Sequence, residues 1–150
     1  MIRKLHPTDK TSILSLAKKS QMFEAEEVDY IGESFDNSQQ GTLWFGAFEG
    51  ELMTGVAYCE PMEMTNKTWN VLMLLVDPEH HRKGIGKALM SLMEETLLEQ
   101  SQRLLLVETS SQPDFEVART FYRSIGYAEQ GVVEHYYDQG DHKVTFTKAL

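Results

Sequence analysis

Between residues 24 and 36, Val28, Ile31 and Phe35 recur at helical spacing. Glu24, Glu27 and Glu33 fall largely off that face, so the segment predicts an amphipathic helix. Ile13, Leu16 and Ala17 predict another over 8–20, after a short strand at Met1–Leu5. Leu43–Phe48 and Leu52–Tyr58 are apolar runs around Glu49-Gly50-Glu51 and predict a hairpin. Trp69–Val76 is apolar at nearly every position. That pattern predicts a central strand buried on both faces, ending where Asp77-Pro78 stops the ladder. Ile85, Ala88, Leu89, Leu92, Met93 and Leu97 then trace one stripe of a long helix, with Lys87, Ser91, Glu94 and Glu95 outside it. Leu104–Val107 predicts a further buried strand. Phe115, Ala118, Tyr122 and Ile125 predict a helix closed by Gly126. Val132–Asp138 and Lys143–Leu150 predict a last hairpin around Gln139-Gly140-Asp141.

The order is therefore β-α-α-β-β-β-α-β-α-β-β. It predicts an α/β fold, a mixed sheet with helices on both faces. No linker, repeat or low-complexity tract interrupts it, so residues 1–150 read as a single domain.

Composition narrows the function classes. Hydrophobic residues make up 41% and charged residues 25%, an ordinary globular balance, and no apolar run approaches membrane-spanning length. The N-terminal MIRKLHPTDK lacks an apolar signal region. Cys59 is the one cysteine, so no internal disulfide can form, which fits a reducing cytoplasm. Lys and Arg total 14 against 23 Asp and Glu, a net of −9. That balance argues against a nucleic-acid partner, which would call for a basic footprint. It is compatible with a cationic substrate, although acidic surface also simply keeps a chain soluble.

Against this acidic background the loop HHRKGIGKAL at 80–89 stands out. A helix N-terminus presents unsatisfied N–H groups and a partial positive charge. Gly84 and Gly86 allow close backbone approach to an anion, and Arg82, Lys83 and Lys87 add local positive charge. Together they predict a pyrophosphate site. The alternative for such a loop is a tight turn with a basic helix start. A Walker A loop is absent. A dinucleotide fingerprint would match Gly84 and Gly86, with Glu108 a little over 20 residues on. However, its third glycine is Leu89 here, and Gly84 lies eight positions beyond Val76.

VDPEHHRKGIGKALM resembles the acyl-CoA-binding motif of the GNAT superfamily of N-acetyltransferases, a buried strand followed by Q/R-x-x-G-x-G/A opening a long helix. ARTFYRSIGY at 118–127 is similar to that family's second motif, A-x-x-x-Y-x-x-x-G-F/Y. The element order matches over nearly the whole chain. The resemblance implies acetyl-CoA as acyl donor and an amine as acceptor, and the charge, hydropathy and residue spacing give no sign of a nucleic acid, a membrane or a metal as partner. It implies that the pantetheine arm pairs with Leu74, Leu75 and Val76. The pyrophosphate would rest on the loop His81, Arg82, Lys83, Gly84, Ile85, Gly86 and Lys87. A backbone N–H near Leu74 would polarise the thioester carbonyl, and Tyr122 would serve the departing thiolate.

Acyl transfer explains why such parts are needed. An alkyl amine of pKa near 10.4 is only about 0.04% neutral at pH 7, so reaching its nucleophilic form costs roughly 4.6 kcal/mol. A base or a water chain helps. Many family members project a catalytic Glu or His from positions that are Leu72 and Asn70 here. Leu72 cannot be a base, and Asn70 could only orient a water. Glu63, Glu60 and Glu108 are the candidate carboxylates, Glu63 being the one to test first. His81 stands at the Q/R position, and Phe115 replaces the asparagine usual in the second motif. His80 and His81 have no accompanying metal-ligand spacing. Cys59 reads as a buried thiol, and Trp44 and Trp69 as core or pocket-wall aromatics. A non-catalytic acyl-CoA-binding module or sensor is the second reading, given the missing strand base. The sequence leaves monomer and homodimer open, and does not specify the acceptor.

Overall fold

The structure, a computed structural model, describes residues 1–38 and 41–150. Among the described residues seven strands and four α-helices follow in the order β1 (Ile2–Lys4), α1 (Lys10–Ser20), α2 (Ala25–Asp36), β2 (Leu43–Glu49), β3 (Leu52–Pro61), β4 (Thr68–Val76), α3 (Ile85–Glu99), β5 (Leu104–Ser110), α4 (Glu116–Ser124), β6 (Ala128–Asp138) and β7 (Asp141–Ala149). The strands form one mixed sheet in the order β1-β2-β3-β4-β5-β7-β6. The element order is the one predicted. The chain groups into two compact units, Met1–Glu60 with Met73–Thr96, and Pro61–Leu72 with Leu97–Leu150.

In the first unit, β2 pairs antiparallel with β1 and β3. Ile13, Leu16 and Ala17 of α1 join Val28, Ile31 and Phe35 of α2 against Trp44, Val56, Tyr58 and Leu75. Trp44 stacks on Tyr58 with ring centroids 3.8 Å apart. The opposite sheet face receives α3. A Cβ at Gly55 would lie 2.8 Å from Ile85 Cγ2 and 3.0 Å from Leu89 Cδ1. The missing side chain at Gly55 is what lets the first turn of α3 settle on the strand. Leu89, Met90 and Met93 are fully buried, each contributing about 1.5–3 kcal/mol. Packing thus outweighs intrinsic propensity in holding this helix.

In the second unit, β4 pairs parallel with β5 over Thr68–Val71 and Leu104–Val107. β5 pairs antiparallel with β7 along its whole length, and β7 with β6. Helix α4 ends in a two-bond cap: Gly126 N–H donates to Arg123 O, and Tyr127 N–H to Tyr122 O. Gly126 takes φ +97°, as its predicted position after the helix requires.

Four details differ from the sequence expectation. Residues 7–9 form a tight 3-10 turn, so α1 begins only at Lys10. β4 is not buried on both faces throughout: Leu72 is 41% exposed, and Met73, Leu74 and Val76 are half-buried. The register with β5 stops at Val71, and exposure begins with the next residue. β5 runs on to Ser110, past the apolar Leu104–Val107, because β7 pairs with every residue. β6 starts at Ala128 and is exposed along its length, since it is the edge strand and its pattern carries no core signal.

Candidate active site

The loop after β4 is anchored by a residue that looks in the sequence like a simple strand stop. Asp77 is fully buried, with 0% of its surface exposed. Its Oδ1 accepts the Glu79 N–H at 3.0 Å, capping the turn Pro78–His80, and its own N–H donates to Thr54 O at 2.8 Å. Lys19, in the last turn of α1, donates from Nζ to Asp77 Oδ2 at 2.8 Å and to Glu79 Oε2 at 2.9 Å. Burial alone would push the Asp77 carboxyl up. The Lys19 ammonium and the Glu79 N–H outweigh it, and the carboxyl is held below its ordinary range.

Beyond this anchor, His81 Nε2 lies 3.1 Å from Val76 O. A carbonyl can only accept, so Nε2 donates to it. Arg82 (φ +65°) and Gly84 (φ +75°) adopt left-handed backbone, which turns the chain into α3. Ala88 N–H donates to Gly84 O at 3.0 Å. The N–H groups of Ile85, Gly86 and Lys87 are therefore the first-turn donors that have no acceptor within the helix. Arg82, Lys83 and Lys87 are exposed, and none enters an ion pair among the described residues. In a chain of net −9 this concentrates unbalanced positive charge at one helix start. Leu74–Val76 and the loop His81–Lys87 belong to the same unit.

Tyr122 and Glu63 belong to the second unit. Tyr122 is buried on α4, its ring 6.2 Å from Phe146 and 5.9 Å from Tyr127. Its hydroxyl has no hydrogen-bond partner among the described residues. Burial pushes its pKa up to about 12, so it is a neutral donor at any ordinary pH. Arg119, one turn earlier, fastens α4 to the end of β5. Its Nη1 donates to Ser110 O and Gln112 O, and its Nη2 to Glu116 Oε2. The sequence hinted at none of this beyond placing Arg119 inside the motif.

Cross-strand register sets Asn70 beside Leu106, and Glu108 beside Thr145. With the two-residue alternation of strands, Asn70, Leu72, Glu108, Thr145 and Lys143 share one face of this part of the sheet. Val107, Val144 and Phe146 are buried on the other. Asn70 Oδ1 is buried without a partner among the described residues. Lys143 Nζ stands 3.5 Å from Glu108 Oε1. Glu60 is half-buried in β3, while Glu63 is exposed in the turn before β4, at the opposite end of that strand from Leu74–Val76. Cys59 is buried, and desolvation pushes its thiol up to about 12. Among the described residues no three His, Cys, Asp or Glu side chains gather as a metal cluster. None of the described helices is long and apolar enough to cross a membrane.

A family model described as an acetyltransferase (GNAT) domain matches residues 39–129, more than half of the chain. The chain belongs to the GNAT acetyltransferase family. Solved structures agree in fold. A protein assigned to the GNAT family from Desulfovibrio desulfuricans superposes with TM-score 0.94 at 25% identity, over 99% of this chain and 98% of that one. An aminoglycoside 6'-N-acetyltransferase complexed with coenzyme A gives TM-score 0.83 at 15% identity, over 99% and 96%. The ribosomal-protein-S18-alanine N-acetyltransferase from Escherichia coli gives 0.81 at 20%, over 99% and 92%. No curated protein matches the sequence. Membership of this GNAT family supports an acyltransferase activity.

Proposed function

We propose that this GNAT protein transfers an acetyl group from acetyl-CoA to a primary amine of a small molecule, peptide or protein, by direct attack. The observation that carries the donor assignment is the start of α3. Three first-turn N–H groups, left-handed Gly84 and three exposed cations meet there, none of the cations ion-paired among the described residues. That set fits a pyrophosphate, and one of the solved structures of this fold holds coenzyme A. Amine acetylation by two relatives of the fold, on an aminoglycoside and on an alanine of ribosomal protein S18, supports the acceptor class. A reducing cytoplasm suits a thioester donor and a lone buried Cys59.

Acetyl-CoA supplies an activated thioester carbonyl. In this reading Arg82, Lys83 and Lys87 with the N–H groups of residues 85–87 bind the diphosphate. The β4 backbone at Leu74, Leu75 and Val76 pairs with the pantetheine amides. The N–H near Leu74 hydrogen-bonds the carbonyl oxygen as negative charge builds on it. The amine nitrogen attacks the carbonyl carbon, the C–N bond forms, and the C–S bond breaks with its electron pair on sulfur. Tyr122 donates a hydrogen bond to that sulfur. Full proton transfer from a phenol at about 12 to a thiolate whose acid lies near 8.5 is uphill by roughly 5 kcal/mol. Tyr122 therefore acts by hydrogen bonding to the developing charge, and the thiolate takes its proton from water. The acceptor's proton leaves to water as well. Glu63, the carboxylate singled out from the sequence, is solvated in an exposed turn, and Glu108 is engaged by Lys143.

A non-catalytic acyl-CoA-binding module is the second reading. It is favoured by β4 itself, which presents Asn70 and Leu72 and has no carboxylate of its own. Thiol release from acetyl-CoA across a panel of amines and peptides separates the two. Turnover with any acceptor establishes the transferase. Saturable CoA binding without turnover on any member establishes the module.

A further inference from the structure

Lys143 holds its ammonium in an unusual setting for a surface lysine. Its side chain is only 16% exposed. The ammonium lies 4.1 Å from the centroid of the Tyr136 ring and 3.5 Å from Glu108 Oε1. Tyr137 packs edge-on against Tyr136 with centroids 5.0 Å apart. The Tyr137 phenol is pushed up to about 12 by burial first and then by the charges of Glu108, Tyr136 and Asp141. Asp141 in turn hydrogen-bonds Ser110. The tyrosines reach this position through a built irregularity. The β6–β7 register breaks between Val133 and Asp138, and His135 turns left-handed at φ +56°. His135 N–H then donates to His142 Nδ1, and Gly140 N–H to His135 Nδ1.

An aromatic face and a carboxylate converging on one ammonium form a cation site. Lys143 lies on the sheet face that also carries Glu108, Asn70 and Leu72. Lys143 is attached through a flexible stem and can swing away. Resting on the acyl-transfer reading, we infer that Tyr136, Tyr137 and Glu108 form a receiving site for a second ammonium of the acceptor, with Lys143 holding the place until a diamine displaces it. An acceptor with a carboxylate there would meet Glu108 and Asp141 instead, so the site selects dibasic over zwitterionic amines.

The test compares pentane-1,5-diamine, which matches the lysine stem, with pentylamine, using the full chain and acetyl-CoA. The diamine is expected to exceed the monoamine in kcat/KM by about tenfold, the scale of one partly desolvated cation–π contact, mainly through KM. Lys143→Met is expected to widen that ratio several-fold, and Lys143→Arg to leave it near the wild-type ratio. Tyr136→Leu should bring it close to one, and Tyr136→Phe should restore it. Equal kcat/KM for the two amines in the wild type and in Lys143→Met overturns the inference while leaving the transferase reading intact. If neither amine is acetylated, calorimetric titration decides the site alone. Diamine binding that tightens several-fold in Lys143→Met supports it, and equal heats for both amines overturn it. Should Lys143→Met fail to fold, the Tyr136→Leu and Tyr136→Phe pair decides the same question.

Discussion

Lys19 Nζ lies 2.8 Å from Oδ2 of Asp77, a carboxylate with no exposed surface at all. The contact ties the last turn of α1 to the segment that leads into α3. Fifty-eight residues separate the partners, so the anion-binding loop borrows its rigidity from a helix early in the chain. Lys19→Met should raise the KM for acetyl-CoA several-fold with a smaller effect on kcat, and Lys19→Arg should largely restore it. Steady-state kinetics with acetyl-CoA as the varied substrate measures this.

The same carboxylate predicts an acid response. Asp77 and Asp9 both titrate below their ordinary 3.8 in the folded chain. Asp9 does so chiefly through its hydrogen bonds from Arg3, while Asp77 does so against the cost of burial. The unfolded chain binds protons first on acidification, so the stability these groups contribute is present above about pH 4. It is lost as pH falls through their lowered folded values. Urea unfolding between pH 6 and pH 2 should show that decline, and Asp77→Asn should flatten part of it. An unchanged slope in Asp77→Asn would remove Asp77 from the account.

Tyr122→Phe should lower kcat by about a hundredfold, the low end for losing one hydrogen bond to developing charge, while CoA affinity stays within twofold. The hydroxyl has no partner to lose among the described residues, so thermal stability should hold. Glu63→Gln serves as the contrast, with kcat against pH superimposable on the wild type. Loss or displacement of the acidic limb in Glu63→Gln would restore Glu63 as the proton acceptor.

Gly55→Ala places a methyl within 3.0 Å of Ile85 and Leu89 side-chain atoms, a contact that Ile85 and Leu89 must move to relieve. Overpacking of this kind costs about 1–3 kcal/mol. Because the shifted residues open α3, CoA binding should weaken together with the urea midpoint. Loss of stability with unchanged CoA affinity would show that the first turn of α3 tolerates displacement.

Cys59 should resist thiol reagents in the native chain at pH 8 and react fully once unfolded, since its pKa is about 12 and it is buried. The same burial gives an alkaline slope. Cys59 and Tyr122 keep their protons in the folded state up to about 12, whereas unfolded they release them near 9.0 and 10.0. Stability therefore falls as pH rises above about 9, by roughly 1.4 kcal/mol per unit for each group that has begun to titrate. Denaturant titrations from pH 8 to pH 11 measure it.

Elements with a strong period were readable from residues alone. The apolar stripe from Ile85 to Leu97 lies along α3, and the loop before it combines glycine, cations and a helix start within ten positions. What escaped depends on partners distant in the chain. Asp77 reads as a strand stop until Lys19 is seen beside it, and Gly55 is an ordinary strand glycine until Ile85 arrives. Trp69–Val76 looks uniformly buried because an apolar run does not reveal where its neighbour's register ends, here at Val71. Glu108 and Lys143 meet because β5 lies beside β7, a pairing no local pattern announces.

The outer strand of the sheet carries a last consequence. β6 is eleven residues long, wholly exposed, and at the edge, with Val132 and Val133 facing water. A flat strand of that kind would template aggregation. Two breaks in its pairing, after Glu129 and after Val133, bend it away from a regular ladder. Glu129, Glu134 and Asp138 add negative charge along it. The bulge that carries Tyr136 and Tyr137 over Lys143 thus also acts as a gatekeeper, denying an incoming strand a continuous row of backbone partners.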